Sequence, residues 1–283
     1  MSRKLIALDM DGTFLTSQKE IPAANKQAVK KAQLAGHLVM ICSGRPHDSL
    51  IPFLQEAQLG DLPISACNGS VTMVEGEIIH SVGMDFEVAK KAYDWLIEHD
   101  YPFTLYTNKG IFCPQKILNQ AEKALEKVPM RADEHALNVA MLEEYLANNS
   151  ATHFALWQEL PAALQIYKFY IFTPDPTKKK AFEAFATLLS GLTVTSSYYD
   201  NVEISDANGH KGTGIIAVAK HFGINIADTV AIGDNFNDEG MLKIAGLAIA
   251  MGNAEDGIKE LADVVTLTND EFGVAHAIEN YVL

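Results

Sequence analysis

The sequence predicts an α/β protein: a doubly wound, Rossmann-like parallel sheet core interrupted by an inserted α+β domain. Short continuous apolar runs alternate with helical segments at both ends of the chain, and this pattern favours parallel strands with right-handed crossovers. The middle of the chain has longer, aromatic-rich segments of period two, which are typical of antiparallel sheets. A length of 283 residues also favours two domains. We therefore expect residues 1–83 and 206–283 to form a core domain, and residues 84–205 to form a cap inserted in it.

The N-terminal part begins with the apolar run KLIALD, which suits a strand buried on both faces. A helix follows, then the strand HLVMICS, and then a second helix that opens at Pro46. Pro52 is expected near an end of this second helix or at a kink, because proline lacks an amide donor. LPISACNGS is predicted to be the third strand, and VTMVEGEIIHSVG a hairpin around Glu75 and Gly76.

The remaining elements follow from the same two patterns. In the middle of the chain, the predicted strands are FTLYTN, KFYIFTP, LTVTSS and NVEIS, and the predicted helices include EVAKKAYDWLIEHD and KKKAFEAFATLLSG. After them the order is helix KGTGIIAVAKHFGI, strand TVAIGD, helix FNDEGMLKIAG, strand LAIAMG, helix AEDGIKELA, strand DVVT and helix DEFGVAHAIENYVL.

Composition and charge exclude several classes of partner. The chain is 48% hydrophobic and has no apolar run near the roughly 20 residues that span a bilayer. Its net charge of −14 argues against nucleic acid and anionic membranes, which select basic surfaces. Three scattered cysteines are too few for a disulfide framework or a zinc site, so we expect a cytoplasmic protein. Monomer and homodimer both remain open.

Four acids are expected at one edge of the core sheet. Asp9 and Asp11 end the first strand, and Asp234 and Asp238 follow the strand TVAIGD. Ligands of open α/β sheets bind at the carboxyl ends of the strands, where these acids would meet. They would repel one another unless they shared a proton or bound a cation. Oxygen ligands without a histidine or cysteine cluster indicate Mg²⁺.

A phosphate site is expected beside these acids. Ser43 and the amides of Gly44 and Arg45 are predicted where a helix begins, which is a favourable position for an anion. Lys211 precedes a later helix and could supply the positive charge that an acidic protein needs to bind an anion. The Arg45 side chain is interpreted as a packing or salt-bridge residue, outside the site. Asn68 remains open between a turn residue and a site contact.

These segments resemble a known family. DMDGTFL resembles the first motif of the haloacid dehalogenase (HAD) superfamily, and ICSGRP is similar to the second. HKGTGI and GDNFND look like the third and fourth motifs, and all four occur in the family's order. The large insertion, NGS before it, and AMGNA and DEFGVAHAI near the end resemble the Cof-type subfamily of sugar-phosphate phosphatase-like hydrolases.

The resemblance implies a role for each acid. Asp9 would be the nucleophile that forms an aspartyl-phosphate, and Asp11 would protonate the leaving oxygen and then deprotonate water. Mg²⁺ would be held by the Asp9 carboxylate, the Asp11 carbonyl and Asp234, with Asp238 a direct or water-mediated ligand. The expected phosphate-binding residues are Met10, Ser43, Gly44, Lys211 and Asn237.

The function implied is Mg²⁺-dependent hydrolysis of a small phosphomonoester, with the active site between core and cap and the cap selecting the substrate. Sugar phosphates, pyridoxal phosphate, flavin mononucleotide and nucleotides all remain open as substrates. A phosphomutase would use the same aspartyl-phosphate but pass the phosphoryl group to a second sugar hydroxyl. A non-catalytic phosphate-binding regulator is the third alternative, and a lost nucleophile or a broken acidic motif would indicate it.

Overall fold

The computed structural model describes residues 2–126, 128, 138–140, 142–143, 146–147, 150–197 and 200–283. The chain forms two compact units, residues 1–81 with 208–283 and residues 82–207. The predicted domain boundaries lie two residues from these at each junction. Among the described residues, none of the helices has the length and apolar character needed to cross a membrane.

The strands and helices are named here in chain order. The strands are β1 (Leu5–Asp9), β2 (Leu38–Cys42), β3 (Ile64–Ala66), β4 (Val71–Val74), β5 (Glu77–Ser81), β6 (Phe103–Thr107), β7 (Gly110–Pro114), β8 (Thr152–Phe154), β9 (Ile166–Phe172), β10 (Leu192–Thr195), β11 (Asn201–Asp206), β12 (Thr229–Gly233), β13 (Leu247–Ala250) and β14 (Val264–Val265). The helices are α1 (Ala23–Leu34), α2 (His47–Ala57), α3 (Phe86–Glu98), α4 (Ile117–Leu125), α5 (Pro176–Ala186), α6 (Lys211–Phe222), α7 (Glu239–Ile244), α8 (Asp256–Leu261) and α9 (Gly273–Tyr281).

The first unit contains an eight-stranded sheet with the order β14-β13-β12-β1-β2-β3-β4-β5. The strands from β14 to β3 are parallel, and β4 and β5 extend the sheet as the predicted hairpin. The chain winds outward from β1 through β2 and β3 and then returns to the other side of β1 with β12. This order confirms the doubly wound prediction and places the switch point between β1 and β12. Asp9 ends β1, and Asp234 directly follows β12.

The position of Pro52 excludes one of the two predicted alternatives. It lies inside α2 and not near either end, so a kink is the alternative that stays a prediction. Its missing amide would have bonded to the carbonyl of Asp48, and both residues are exposed, so water can satisfy that carbonyl.

The start of α2 lies one residue after the predicted one. The helix begins at His47, after Pro46 in an extended conformation with φ −67° and ψ 151°. Ser43–Arg45 therefore lie directly before the start of the helix, and the role of their amides in phosphate binding stays a prediction. Proline disfavours a helical conformation of the residue that precedes it, which keeps Arg45 out of the helix.

The second unit contains a six-stranded sheet with the order β10-β11-β9-β6-β7-β8. Its pairs are antiparallel except β7 with β8, which confirms the α+β prediction for the middle of the chain. Phe103, Phe169 and Val202, from three adjacent strands, belong to one apolar core. Lys168 and Glu203 form a buried ion pair at 3.1 Å.

The loop after β3 ties two parts of the first unit together. Cys67, Asn68 and Gly69 have positive φ values of 51°, 57° and 96°. The Cys67 amide donates to the Arg45 carbonyl at 2.9 Å, so the loop is bonded to the segment after β2. A Cβ atom at Gly69 would lie 2.0 Å from the His210 carbonyl oxygen. The loop therefore packs directly against the start of α6.

This contact predicts a large cost for Gly69→Ala. Both Gly69 and Gly76 have positive φ, but a Cβ atom at Gly76 meets nothing within 4 Å. We expect Gly76→Ala to lower the free energy of unfolding by about 1 kcal/mol, from backbone strain alone. Gly69→Ala should cost about 2–4 kcal/mol, because the clash with His210 adds to that strain. Urea unfolding of both variants measures the difference, and equal costs would contradict the packing described.

Candidate active site

Three of the predicted acids meet where β1 and β12 end. Single carboxylate oxygens of Asp9, Asp234 and Asp238 lie within 4.8 Å of one another. The Lys211 ammonium lies 2.5 Å from Asp9 Oδ1 and 2.5 Å from Asp238 Oδ1. Lys211 and Asp238 have no exposed surface, and Asp9 is 5% exposed. The structure therefore brings the predicted nucleophile, the predicted phosphate-binding lysine and two predicted metal ligands into one buried cluster.

Both carboxylate oxygens of Asp238 accept hydrogen bonds. Its Oδ2 accepts the backbone amides of Asp234 and Asn235 at 2.8 and 3.0 Å, and its Oδ1 accepts from Lys211. Asn235 and Asp238 also form a capping box on the single 3₁₀ turn Phe236–Asp238. Asp238 therefore fixes the loop that carries Asp234 as well as contributing charge to the cluster.

Burial and neighbouring charges shift the pKa values of the cluster. Burial, reinforced by the Asp238 carboxylate, raises the pKa of Asp9 well above its ordinary value. Burial and Asp238 also raise the pKa of Asp234 to about 7. Burial lowers the pKa of Lys211, but the Asp238 and Asp9 carboxylates outweigh it, so the net shift is upward and the ammonium stays charged. One lysine charge therefore does not balance three carboxylates.

The donor set fits a hard divalent cation. When ionised, the three carboxylates exceed the charge of Lys211 by two, which is the charge of Mg²⁺. Oxygen-only ligands suit Mg²⁺ better than zinc. Asp9 and Asp234 are the better-placed donors, because Asp238 is engaged at both oxygens by Lys211 and by two backbone amides. The Asp11 side chain is not part of this cluster, and the role of its carbonyl stays a prediction.

The Asp11 carboxylate has a separate environment. Arg45 Nε and Nη2 donate to its two oxygens, each at 2.7 Å, and Lys19 Nζ lies 2.9 Å from Oδ1. Burial raises the pKa of Asp11, but the Arg45 contacts outweigh it and lower the pKa to about 2. Arg45 is thus a salt-bridge residue, as interpreted, but its partner is the predicted proton donor. The only sign of this contact in the sequence is that Arg45 directly follows Ser43 and Gly44. No sequence pattern indicated the contact of Lys19 with Asp11.

The predicted phosphate-binding residues follow the ends of β1, β2 and β12. Met10 is buried directly after Asp9, and Ser43 is buried directly after β2. Gly44 follows Ser43 and is half-buried. The Arg45 amide donates to Ser43 Oγ at 3.2 Å, and its predicted contact with phosphate stays a prediction.

Two polar contacts add residues that the sequence did not settle. Asn237 Nδ2 donates to Asn68 Oδ1 at 3.3 Å, so Asn68 contacts a predicted phosphate-binding residue. Thr13, which is fully buried, donates from Oγ1 to Asp234 Oδ1 at 2.9 Å. Its position in the segment DMDGT was the only signal for this contact, since a threonine after glycine also suits a plain turn.

Comparison with known proteins agrees with this geometry. Residues 6–278 match the model of the haloacid dehalogenase-like hydrolase family. Phosphatase YwpJ of Bacillus subtilis is 33% identical over 98% of this chain and 99% of its own. The 5-amino-6-(5-phospho-D-ribitylamino)uracil phosphatase YwtE of the same organism is also 33% identical, over 98% of this chain and 97% of its own. Pyridoxal phosphate phosphatase YbhA of Escherichia coli is 27% identical over the whole of both chains.

A solved structure supports the same assignment. A haloacid dehalogenase-like hydrolase from B. subtilis has a TM-score of 0.84 and 30% identity, and the match covers 99% of this chain and 100% of that one. The family and the class of enzyme, a phosphoric monoester hydrolase, agree with those expected from the four motifs. The chain therefore belongs to the haloacid dehalogenase-like hydrolase family.

Proposed function

We propose that this chain is a Mg²⁺-dependent phosphatase that hydrolyses small phosphomonoesters through an aspartyl-phosphate on Asp9. The observation that carries the proposal is the buried cluster at the switch point. There Asp9 ends β1, contacts Lys211 at 2.5 Å and shares a cation-binding arrangement with Asp234 and Asp238. Such a cluster places a nucleophile and positive charge where a phosphoryl group can bind.

Asp9 and Lys211 would act together in the first step. An Asp9 oxygen attacks phosphorus, and the bond from phosphorus to the leaving oxygen breaks with its electron pair on that oxygen. Lys211 favours the ionised form of Asp9 and would stabilise the charge on the phosphoryl oxygens. When bound, Mg²⁺ would supply the same electrostatic stabilisation from the side of Asp9 and Asp234.

Asp11 would transfer the proton in both steps. It gives a proton to the leaving oxygen, then takes one from the water that attacks the aspartyl-phosphate, so that Asp9 is regenerated and inorganic phosphate is released. In the structure, Asp11 is ionised and paired with Arg45 and Lys19. This is the form that would act as the base in the second step.

Two alternatives are less well supported. A regulator without activity would be expected to lack the nucleophile or to have a broken acidic motif, and Asp9, Asp234 and Asp238 are all in place. A phosphomutase would share the site, but the three relatives YwpJ, YwtE and YbhA are named phosphatases. Steady release of inorganic phosphate, without retention of phosphate on a sugar product, distinguishes hydrolysis from mutase activity.

The substrate is proposed only as a class. YwtE and YbhA are named for a ribitylaminouracil phosphate and for pyridoxal phosphate, so the proposed class is small phosphorylated metabolites. The proposed selector of the leaving group is the inserted unit, residues 82–207. A panel of sugar phosphates, pyridoxal phosphate, flavin mononucleotide and nucleotides, ranked by kcat/KM, tests this class.

Asp9→Asn should remove the activity. Without a carboxylate nucleophile, kcat for p-nitrophenyl phosphate should fall by at least about 10³-fold. Asp48→Asn is the control, because this acid of the same unit has a side chain that is 91% exposed and should change the rate by less than about twofold. Equal rates for wild type and Asp9→Asn would contradict the proposal.

Metal removal should abolish hydrolysis, and added Mg²⁺ should restore it. Mg²⁺ should also raise the melting temperature, because the cation binds the folded carboxylate cluster and offsets its repulsion. Asp234→Asn should raise the Mg²⁺ concentration for half-maximal activity by about 10- to 100-fold. The same titration of Asp48→Asn should match wild type. Activity that survives chelation, with no effect of Mg²⁺ on melting, would count against a metal site.

Phosphodiesters should be poor substrates. A monoester dianion matches the positive charge of Lys211 and a bound cation better than a singly charged diester does. We expect p-nitrophenyl phosphate to be hydrolysed at least about 100-fold faster than bis-p-nitrophenyl phosphate. Comparable kcat/KM values for the two would argue for a different reaction class.

A further inference from the structure

The predicted proton-transfer residue is held at both oxygens by one guanidinium. Arg45 Nε and Nη2 each lie 2.7 Å from a different oxygen of Asp11, which is a bidentate pair. Two parallel hydrogen bonds fix the plane of the carboxylate as well as its distance. The orientation of Asp11 is therefore set by the position of the Arg45 side chain.

Arg45 is itself anchored along its length. Its carbonyl accepts the Cys67 amide at 2.9 Å, and its amide donates to Ser43 Oγ at 3.2 Å. Its guanidinium carbon lies 5.0 Å from the centre of the Phe53 ring on α2. The backbone is thus held between β2 and β3, and the cationic end is held against an aromatic face.

Lys19 does not hold Asp11 in the same way. It makes a single contact at 2.9 Å, and its side chain is 59% exposed, against 28% for Arg45. An exposed lysine pair contributes little orientation, because the ammonium has no fixed fork geometry and is well solvated. Among the described contacts of Asp11, the Arg45 pair is therefore the directional one.

We propose that Arg45 is a positioning residue, which orients the Asp11 carboxylate for proton transfer and acts on the reaction through that carboxylate. The inference rests on the proposed phosphatase function. In the first step Asp11 is protonated on one oxygen and gives that proton to the leaving oxygen, while its other oxygen stays bonded to Arg45. In the second step the bidentate pair re-forms as Asp11 takes a proton from water. Arg45 makes no covalent bond and transfers no proton.

A leaving-group comparison separates this role from a structural one. p-Nitrophenolate departs without a proton, whereas phenolate is a much poorer leaving group and depends on the acid. Arg45→Ala should therefore lower kcat/KM for phenyl phosphate about tenfold more than for p-nitrophenyl phosphate. Arg45→Lys should show the same selectivity, because lysine cannot form the two parallel bonds. Lys31→Ala, which removes an exposed pair with Glu279, should change neither substrate.

A double-mutant cycle tests whether Arg45 acts through Asp11. In an Asp11→Asn background, Arg45→Ala should change p-nitrophenyl phosphate hydrolysis by less than about twofold. Phe53→Leu, which leaves Arg45 and Asp11 in place, should show a smaller loss with the same preference for phenyl phosphate. Circular dichroism verifies folding, and Arg45→Lys and Phe53→Leu carry the test if Arg45→Ala does not fold.

The outcomes separate this inference from the proposed function. Equal losses on both substrates, a change confined to KM, or full additivity with Asp11→Asn would overturn the role of Arg45 while the enzyme remains a phosphatase. Wild-type protein that hydrolyses neither substrate with Mg²⁺ present would overturn the proposed function, and this inference with it.

Discussion

The first unit is organised around one buried charge, the Lys211 ammonium between Asp9 and Asp238. Burying an unpaired ammonium costs several kcal/mol, so the fold must bring both carboxylates to it at once. To pair this charge, the end of β1, the turn after β12 and the start of α6 must lie together. Gly69 has no side chain, and a Cβ atom there would meet the His210 carbonyl. The start of α6 can therefore approach the loop after β3.

The same cluster links stability to catalysis. Two amides and one lysine satisfy Asp238, but burial and the Asp238 carboxylate raise the pKa values of Asp9 and Asp234, and one lysine faces three carboxylates. A bound cation would relieve this repulsion and would also prepare the site for a phosphoryl anion. The arrangement that makes the ligand-free cluster less stable is thus the one that makes it a binding site.

The two acids of the first strand have different physical environments although one residue separates them. Asp9 is buried at the end of a rigid central strand, beside Lys211. Asp11 lies beyond the strand, is partly exposed and is held by Arg45 and Lys19. The rigid position suits a nucleophile that must meet phosphorus in line, and the exposed one suits a group that exchanges protons with substrate and water.

Much of the site was predictable because parallel strands deliver polar residues to one edge. The apolar runs identified β1, β2 and β12, and the sheet order then required Asp9 and Asp234 to be neighbours. The start of α2 was predicted to within one residue. Proline suits the first positions of a helix and disfavours a helical conformation of the residue before it, here Arg45.

What the sequence by itself determined is the strands and helices of the first unit, four of the six strands of the second sheet, the polar residues at the strand ends and the family to which they belong. The tertiary structure alone decided which side chains meet, as with Arg45 and Asp11, Asn237 and Asn68, and Thr13 and Asp234. These pairs are 34, 169 and 221 residues apart along the chain. Local periodicity reports burial and backbone conformation, whereas such contacts depend on how distant elements pack and on the charges that packing leaves unbalanced.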